Sequence, residues 1–230
     1  TLDKWGIGND VLRTKFPKLV HCRISGFGAD GPRGGNPGYD AIIQAMTGMI
    51  AATGSPESGP MRIGVPLVDI TTGLYAAIGI LMALSERQRS GLGQFLETTL
   101  YETGLAIMHP HTANYFMHGK PPGLTGNEHP NLVPYAVFPT KTDNIFIGVG
   151  NDGTFRKLAK EVGKPELGTD PRFARNKDRI ANRDALRAEL AAVFSQHEAE
   201  PLCNRLLAAG LPAGPVQKID QALTNPHTLH

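Results

Sequence analysis

The residue with the clearest chemical prospects is Asp69, in the stretch Val65-Pro-Leu-Val-Asp-Ile-Thr-Thr-Gly73. It stands between a stiff apolar segment and the start of the strongest helical pattern in the chain. A carboxylate at such a junction is expected to face unpaired backbone N–H groups and the positive end of the helix dipole, which favour its ionised form. An ionised, partly desolvated carboxylate can attack an activated carbonyl. Aspartate is equally a preferred N-cap residue; spacing alone leaves both roles open, and they are compatible. Residues 26–38 are a second prospect. Their glycines let backbone approach a ligand closely, and turn N–H groups can cradle phosphate. The segment matches neither G-x-G-x-x-G nor a Walker A motif, so a plain surface loop reads equally well. Arg33 within it can pair with a phosphate or stay solvated.

The histidines point less far. His109, His111 and His118 are interrupted by Pro110 and lack zinc-protease spacing, and Cys22 and Cys203 form no cysteine pair, so no metal site is expected. His129, in Gly126-Asn-Glu-His-Pro130, either lines the mouth of a site or is an exposed loop residue. The absence of a G-x-S-x-G elbow excludes a serine hydrolase of that type.

These residues need elements to position them. Residues 19–25 read as a buried strand, and 39–52 as a helix with Ile42, Ala45, Met46, Met49 and Ile50 on one face. Residues 69–89 predict the longest helix, with Leu74, Ala77, Ile78, Leu81 and Met82 as its core stripe and Gly91 as a left-handed C-cap. A short strand at 94–99 and helical spacing over 101–117 complete an alternating pattern, that of an α/β layer fold with parallel strands. The loop 119–134 is the expected boundary, between domains at 1–118 and 119–230. Beyond it, 135–139 and 145–149 flank Thr-Lys-Thr-Asp-Asn as a hairpin. Helices at 153–162, 182–195 (N-capped by Asn182) and 201–209 make the second region a smaller α+β unit.

Composition sets the outer limits. The chain has 230 residues, 40% of them hydrophobic, enough for a substantial core. Glycine (27) and proline (18) make up about a fifth of it, without a collagen-like period. A net charge of +2 is too weak to argue for nucleic acid, though converging cations would suit an anionic small molecule. Two cysteines read as reduced thiols in a cytoplasmic protein. The longest apolar run is interrupted by Gly79 and reads as too short to span a membrane, so no membrane association is expected, and no signal peptide is apparent at the start. A first residue that is Thr1 suggests a fragment or a trimmed product.

An ordered series of motifs carries the reading further. It runs through Ile24-Ser-Gly-Phe-Gly-Ala-Asp-Gly-Pro32, Pro37-Gly-Tyr-Asp-Ala41, Gln44-Ala45 and Gly48, then Pro66 to Asp69, Thr72-Gly73, Gly79-Ile80 and Gly91-Leu-Gly-Gln94. Val133-Pro-Tyr135, Asn151-Asp152, Asp170-Pro-Arg-Phe173 and Gly214-Pro-Val216 continue it. Each piece is weak alone, but the series resembles the class III CoA-transferases along nearly the whole chain. That family includes formyl-CoA and carnitine CoA-transferases and the α-methylacyl-CoA racemases.

The resemblance implies an incomplete Rossmann-like parallel-sheet domain followed by the smaller α+β domain, with relatives extending beyond both ends. It implies Asp69 as nucleophile, attacking an acyl-CoA thioester and passing through an aspartyl anhydride and an aspartyl-CoA thioester. Coenzyme A then serves as substrate, with no permanently bound cofactor. Lys4 falls where relatives commonly place an arginine near the CoA phosphates, and Asn36, Pro37, Gly38 and Tyr39 match a family segment that contacts CoA; Arg33, able to pair with a phosphate, is the further CoA-binding candidate. Asp40, Gly126, Asn127 and His129 fall where it meets the acyl group or acceptor acid. The family's racemases carry histidine where this chain has Tyr39; proton transfer at an α-carbon calls for a group titrating near neutrality, so the resemblance favours transfer over racemisation. The stretch from Ala113-Asn-Tyr115 to Val133-Pro-Tyr135 looks most like that of transferases of dicarboxylates such as succinate and glutarate. Interlocked homodimers are the family's assembly, and a truncated, non-catalytic remnant is the reading from a different class.

Overall fold

The computed structural model describes residues 2–230, and the chain divides between Gly126 and Asn127 into two compact units. The division falls toward the middle of the glycine- and proline-rich loop at 119–134 rather than at its start. Gly126 stays with the first unit, its N–H donating to Gly54 O at 2.8 Å.

The first unit opens with a 3-10 turn (Asp3–Trp5) and helix α1 (Asn9–Lys15), then strand β1 (His21–Ser25). Helices α2 (Asp40–Met46) and α3 (Met49–Ala52) occupy the stretch expected to be one helix. The break is Gly48, at φ +86°, a left-handed conformation that stops α2 and turns the chain into α3. A minimal antiparallel pair, β2 (Gly54–Ser55) and β3 (Gly59–Pro60), follows, then α4 (Leu67–Ser90), ended by Gly91 at φ +75° as its left-handed cap. Strand β4 (Phe95–Thr99) runs parallel to β1, His21 opposite Phe95 and Ser25 opposite Thr99. Arg23 and Glu97, opposite one another, form a two-pronged ion pair at 2.9 and 2.7 Å. Helices α5 (Leu100–Ala106) and α6 (His111–His118) replace the single helix expected at 101–117. Ile43, Met49, Val68, Leu100 and Met108 form the core of this unit.

Helix α4 corrects two expectations. Its buried side chains are Val68, Thr72, Ala76 and Ala83, a stripe of mostly small residues that lets the helix lie close to β1, β4, α2 and α5. The predicted core stripe of Leu74, Ala77, Ile78, Leu81 and Met82 is exposed instead. Gly79 does not interrupt α4, and its 24 residues make it long enough and apolar enough to cross a membrane. Length and composition alone also fit the core helix of a soluble protein.

The second unit is built on a three-stranded antiparallel sheet. Strands β5 (Tyr135–Pro139) and β6 (Asn144–Gly148) form the expected hairpin. Helices α7 (Asp152–Glu161), α8 (Asn176–Ala181), α9 (Arg183–Phe194) and α10 (Ala199–Ala208) follow, and β7 (Ala213–Pro215) returns to pair with β6. Helices α11 (Ile219–Thr224) and α12 (Pro226–Leu229) end the chain. Phe138, Ile145, Phe155, Phe173, Leu190 and Phe194 anchor a core larger than that of the first unit. Arg179 is wholly buried in it, donating to Val133 O, Phe173 O and Asp152 Oδ1 with its guanidinium over the Phe155 ring. Asn182 does precede α9, but its amide donates to Asp178 O and Arg172 O rather than capping. Cys203 is buried and Cys22 half-buried.

Candidate active site

Asp69 is the third residue of α4, not its N-cap; Pro66 holds that position. Nor does it face unpaired amides. Leu67 N–H donates to Val65 O (2.8 Å) and Ile70 N–H to Pro66 O (3.1 Å). The two amides between them, of Val68 and Asp69, both donate to Asp40 Oδ2, at 2.8 and 3.2 Å. The cap of α4 is therefore supplied from 29 residues upstream, by the first residue of α2.

Asp40 is 8% exposed, and its other oxygen accepts from Gln44 Nε2 one helical turn on. Gln44 is fully buried and accepts from Ile63 N–H at 2.9 Å through its own carbonyl oxygen. Two side chains of α2 thus tie down both the start of α4 and the segment leading into it. The side chain of Asp69, by contrast, is left open to solvent. Partial desolvation, and then the neighbouring charge of Asp40, push its carboxyl above the usual aspartate range. That reverses the expectation of a carboxylate stabilised by the helix end. The result is an exposed carboxylate on a fixed backbone, an arrangement that could serve a nucleophile or a base.

The loop 26–38 runs directly into this pair. Gly26 and Gly38 touch back to back, and Tyr101 N–H donates to Gly26 O at 3.0 Å. Arg33, Asn36 and Pro37 are exposed, and Tyr39, 74% exposed, stands next to Asp40. Lys4 is exposed in the N-terminal 3-10 turn. Asp40, expected to meet substrate, has both oxygens engaged inside the protein. Gly126 closes the first unit, whereas Asn127 and His129 belong to the second. Asn127 is exposed. His129 is half-buried, its Nδ1 accepting from Asn131 N–H at 3.0 Å and its ring 5.1 Å from that of Tyr135. Between them Glu128 is gripped by Arg183 (2.6 Å) and Arg187 (2.9 Å) of α9, so this side of the loop is anchored. Sequence reasoning missed Gln44 as a site element and missed the Glu128 clamp. The i, i+4 spacing of Asp40 and Gln44 was the one local signal available. Among the described residues no group of three His, Cys, Asp or Glu is placed to hold a metal.

A family model described as CoA-transferase family III matches residues 1–230. The chain belongs to CoA-transferase family III. It is 37% identical over 225 residues to the succinate–glutarate CoA-transferase of Agrobacterium fabrum, covering 98% of this chain and 56% of that protein. It is also 37% identical over 228 residues to the acetyl-CoA:oxalate CoA-transferase of Acetobacter aceti, covering 99% of this chain and 59% of that protein. A solved CaiB/BaiF family protein from Brucella suis is similar with a TM-score of 0.83 and 39% identity, over 99% of this chain and 60% of that one. The family III chain thus spans somewhat more than half the length of the relatives it matches. Its mixed α/β architecture, with a parallel strand pair in the first unit, agrees with the fold class read from sequence.

Proposed function

We propose that the protein transfers coenzyme A from an acyl-CoA to a carboxylic acid, with Asp69 as the covalent carrier. The observation that carries this reading is the exposed carboxylate of Asp69 on an internally pinned helix start, in a chain matched by the family model from end to end. A carboxylate oxygen of Asp69 attacks the thioester carbonyl; the C–S bond breaks and CoA thiolate leaves, giving a mixed anhydride. The thiolate then attacks Asp69 Cγ, and the donor acid departs with the bridging oxygen. The acceptor carboxylate attacks the resulting aspartyl-CoA thioester, expelling thiolate into a second anhydride. Thiolate attack on the acceptor's acyl carbon frees Asp69 and releases the new acyl-CoA. No water is consumed, so the site must exclude it.

The first-turn amides of α4 are already engaged, so donors for the tetrahedral oxyanions come from other groups. Arg33, Asn36, Pro37 and Tyr39 support CoA binding beside Asp69, because they are exposed on the segment that ends at Asp40. The names of the relatives support dicarboxylic acids as acceptors. The same reading places two copies in the working assembly. Incubation with succinyl-CoA followed by hydroxylamine or borohydride tests the proposal. It expects modification confined to Asp69, and undiminished transfer by Asp69→Ala contradicts it.

A further inference from the structure

The carboxylate of Asp40 is used inside the protein, and the pattern of donors around it says for what. A buried carboxylate is costly unless donors match its charge. Here three converge: the amides of Val68 and Asp69 on Oδ2, and Gln44 Nε2 on Oδ1. The backbone N–H groups at both ends of this network can only donate. Ile63 N–H therefore fixes Gln44 with its oxygen toward residue 63 and its NH2 toward Asp40, and Asp40 must accept on both oxygens. One of the bonds so enforced is to the amide of Asp69 itself.

We propose that Asp40, oriented by Gln44, is the positioning residue for Asp69: it fixes the nucleophile's backbone so that the side chain meets the thioester in one direction. This rests on the reading of Asp69 as nucleophile. The neighbouring charge also raises the basicity of the Asp69 carboxylate, second to desolvation. Positioning of this kind acts on the rate of attack and leaves acyl-CoA affinity to the groups that touch CoA.

The network dictates its own test. Asp40→Asn keeps one oxygen for the two amides but turns an NH2 toward that of Gln44, which cannot rotate because Ile63 N–H holds its oxygen. Adding Gln44→Glu restores a donor–acceptor match at every main link and moves the negative charge by one side chain. In single turnovers with succinyl-CoA, Asp40→Asn is expected to slow aspartyl-CoA formation roughly 10- to 100-fold, with KM for acyl-CoA changed less than about threefold. The double variant is expected to recover to within about fivefold of the parent. Gln44→Met, which leaves Asp40 its charge but removes the side chain that aims it, is the milder variant and is expected to lose roughly 3- to 10-fold with folding retained. A parental rate per folded molecule in Asp40→Asn or Gln44→Met overturns the proposal. So does a loss that appears in KM alone, or a folded double variant that recovers nothing. Wild-type transfer by Asp69→Ala removes the nucleophile reading itself. An inactive Asp69→Ala beside an unaffected Asp40→Asn removes only the positioning role.

Discussion

Replacing Gly38 by alanine tests how the loop is joined to the site. A Cβ built at Gly38 lies 2.8 Å from Gly26 Cα, 3.3 Å from Ile43 Cδ1 and 3.4 Å from Phe27 Cε2. Carbon atoms in contact prefer about 3.5–4.0 Å, so the two backbones must part by roughly 0.7 Å or more. Neither side yields easily: Gly26 is buried beside the end of β1, and two residues after Gly38 comes Asp40, fixed to α4. Overpacking against unyielding atoms costs about 1–3 kcal/mol, and the backbone nature of this contact puts Gly38→Ala in the upper half of that range. For a chain of this size each kcal/mol lowers the melting midpoint by about 2–4 °C, so a fall of about 4–12 °C is expected. Gly26→Ala meets the same contact from the other side, with a Cβ 2.7 Å from Gly38 Cα and N. The two changes should be markedly less than additive, because the first to part the backbones makes room for the second. Gly123→Ala, with nothing within 4 Å, is the control and should stay within about 0.5 kcal/mol. Thermal melts of the three single variants and the double decide the matter. A Gly38→Ala protein that melts within about 2 °C of the parent refutes the reasoning, since about 2 kcal/mol, or about 4 °C, is its smallest expected effect.

Three further expectations follow from particular side chains. The carboxyl of Asp69 is raised, so in the pH window between its ordinary and raised values the folded state binds more protons than the unfolded state, and stability falls as pH rises through that window. Asp69→Asn should therefore melt higher than the parent at neutral pH and equally at pH about 3, below the ordinary aspartate value; the reverse ordering would show that the carboxylate is stabilised. Burial pushes the Cys203 thiol up to about 11, so iodoacetamide at pH 8 should alkylate Cys22 first and reach Cys203 only on unfolding, as peptide mass mapping can show. Arg179→Leu orphans two buried carbonyls and an ion-pair partner and should cost about 2–4 kcal/mol in urea denaturation, with Arg179→Lys recovering little because an ammonium cannot reach all three acceptors.

What the sequence made legible was local. The hairpin of β5 and β6, the strands β1 and β4 and the end of α4 at Gly91 each have their cause within a few residues: alternation, a turn, a left-handed glycine. Helix breaks were harder. Gly48 and the turn before α6 each divide a stretch whose apolar spacing reads as continuous. The buried face of α4 does not follow from bulk, since Leu74, Ile78, Leu81 and Met82 are exposed. Close packing on the sheet instead selected the small stripe of Thr72, Ala76 and Ala83. Asp69 was legible as a position but not as an environment. Its helix is capped by Asp40 across 29 residues of sequence, and no local window contains that pairing. The same holds for Glu128 and its two arginines on α9, separated by 55 and 59 residues.

The central claim, covalent carriage by Asp69, is tested most directly with oxygen isotope. A single turnover of succinyl-CoA with a dicarboxylate acceptor labelled with oxygen-18 in its carboxylates should leave one labelled oxygen in the side chain of Asp69, because acceptor anhydride cleavage returns the bridging oxygen to the enzyme. The peptide containing Asp69 should gain about 2 Da, the mass of one oxygen-18 for oxygen-16 exchange expected of a carboxylate nucleophile. The label should then appear in the donor acid released by the next turnover. Full transfer activity with an unlabelled Asp69 peptide would contradict the account.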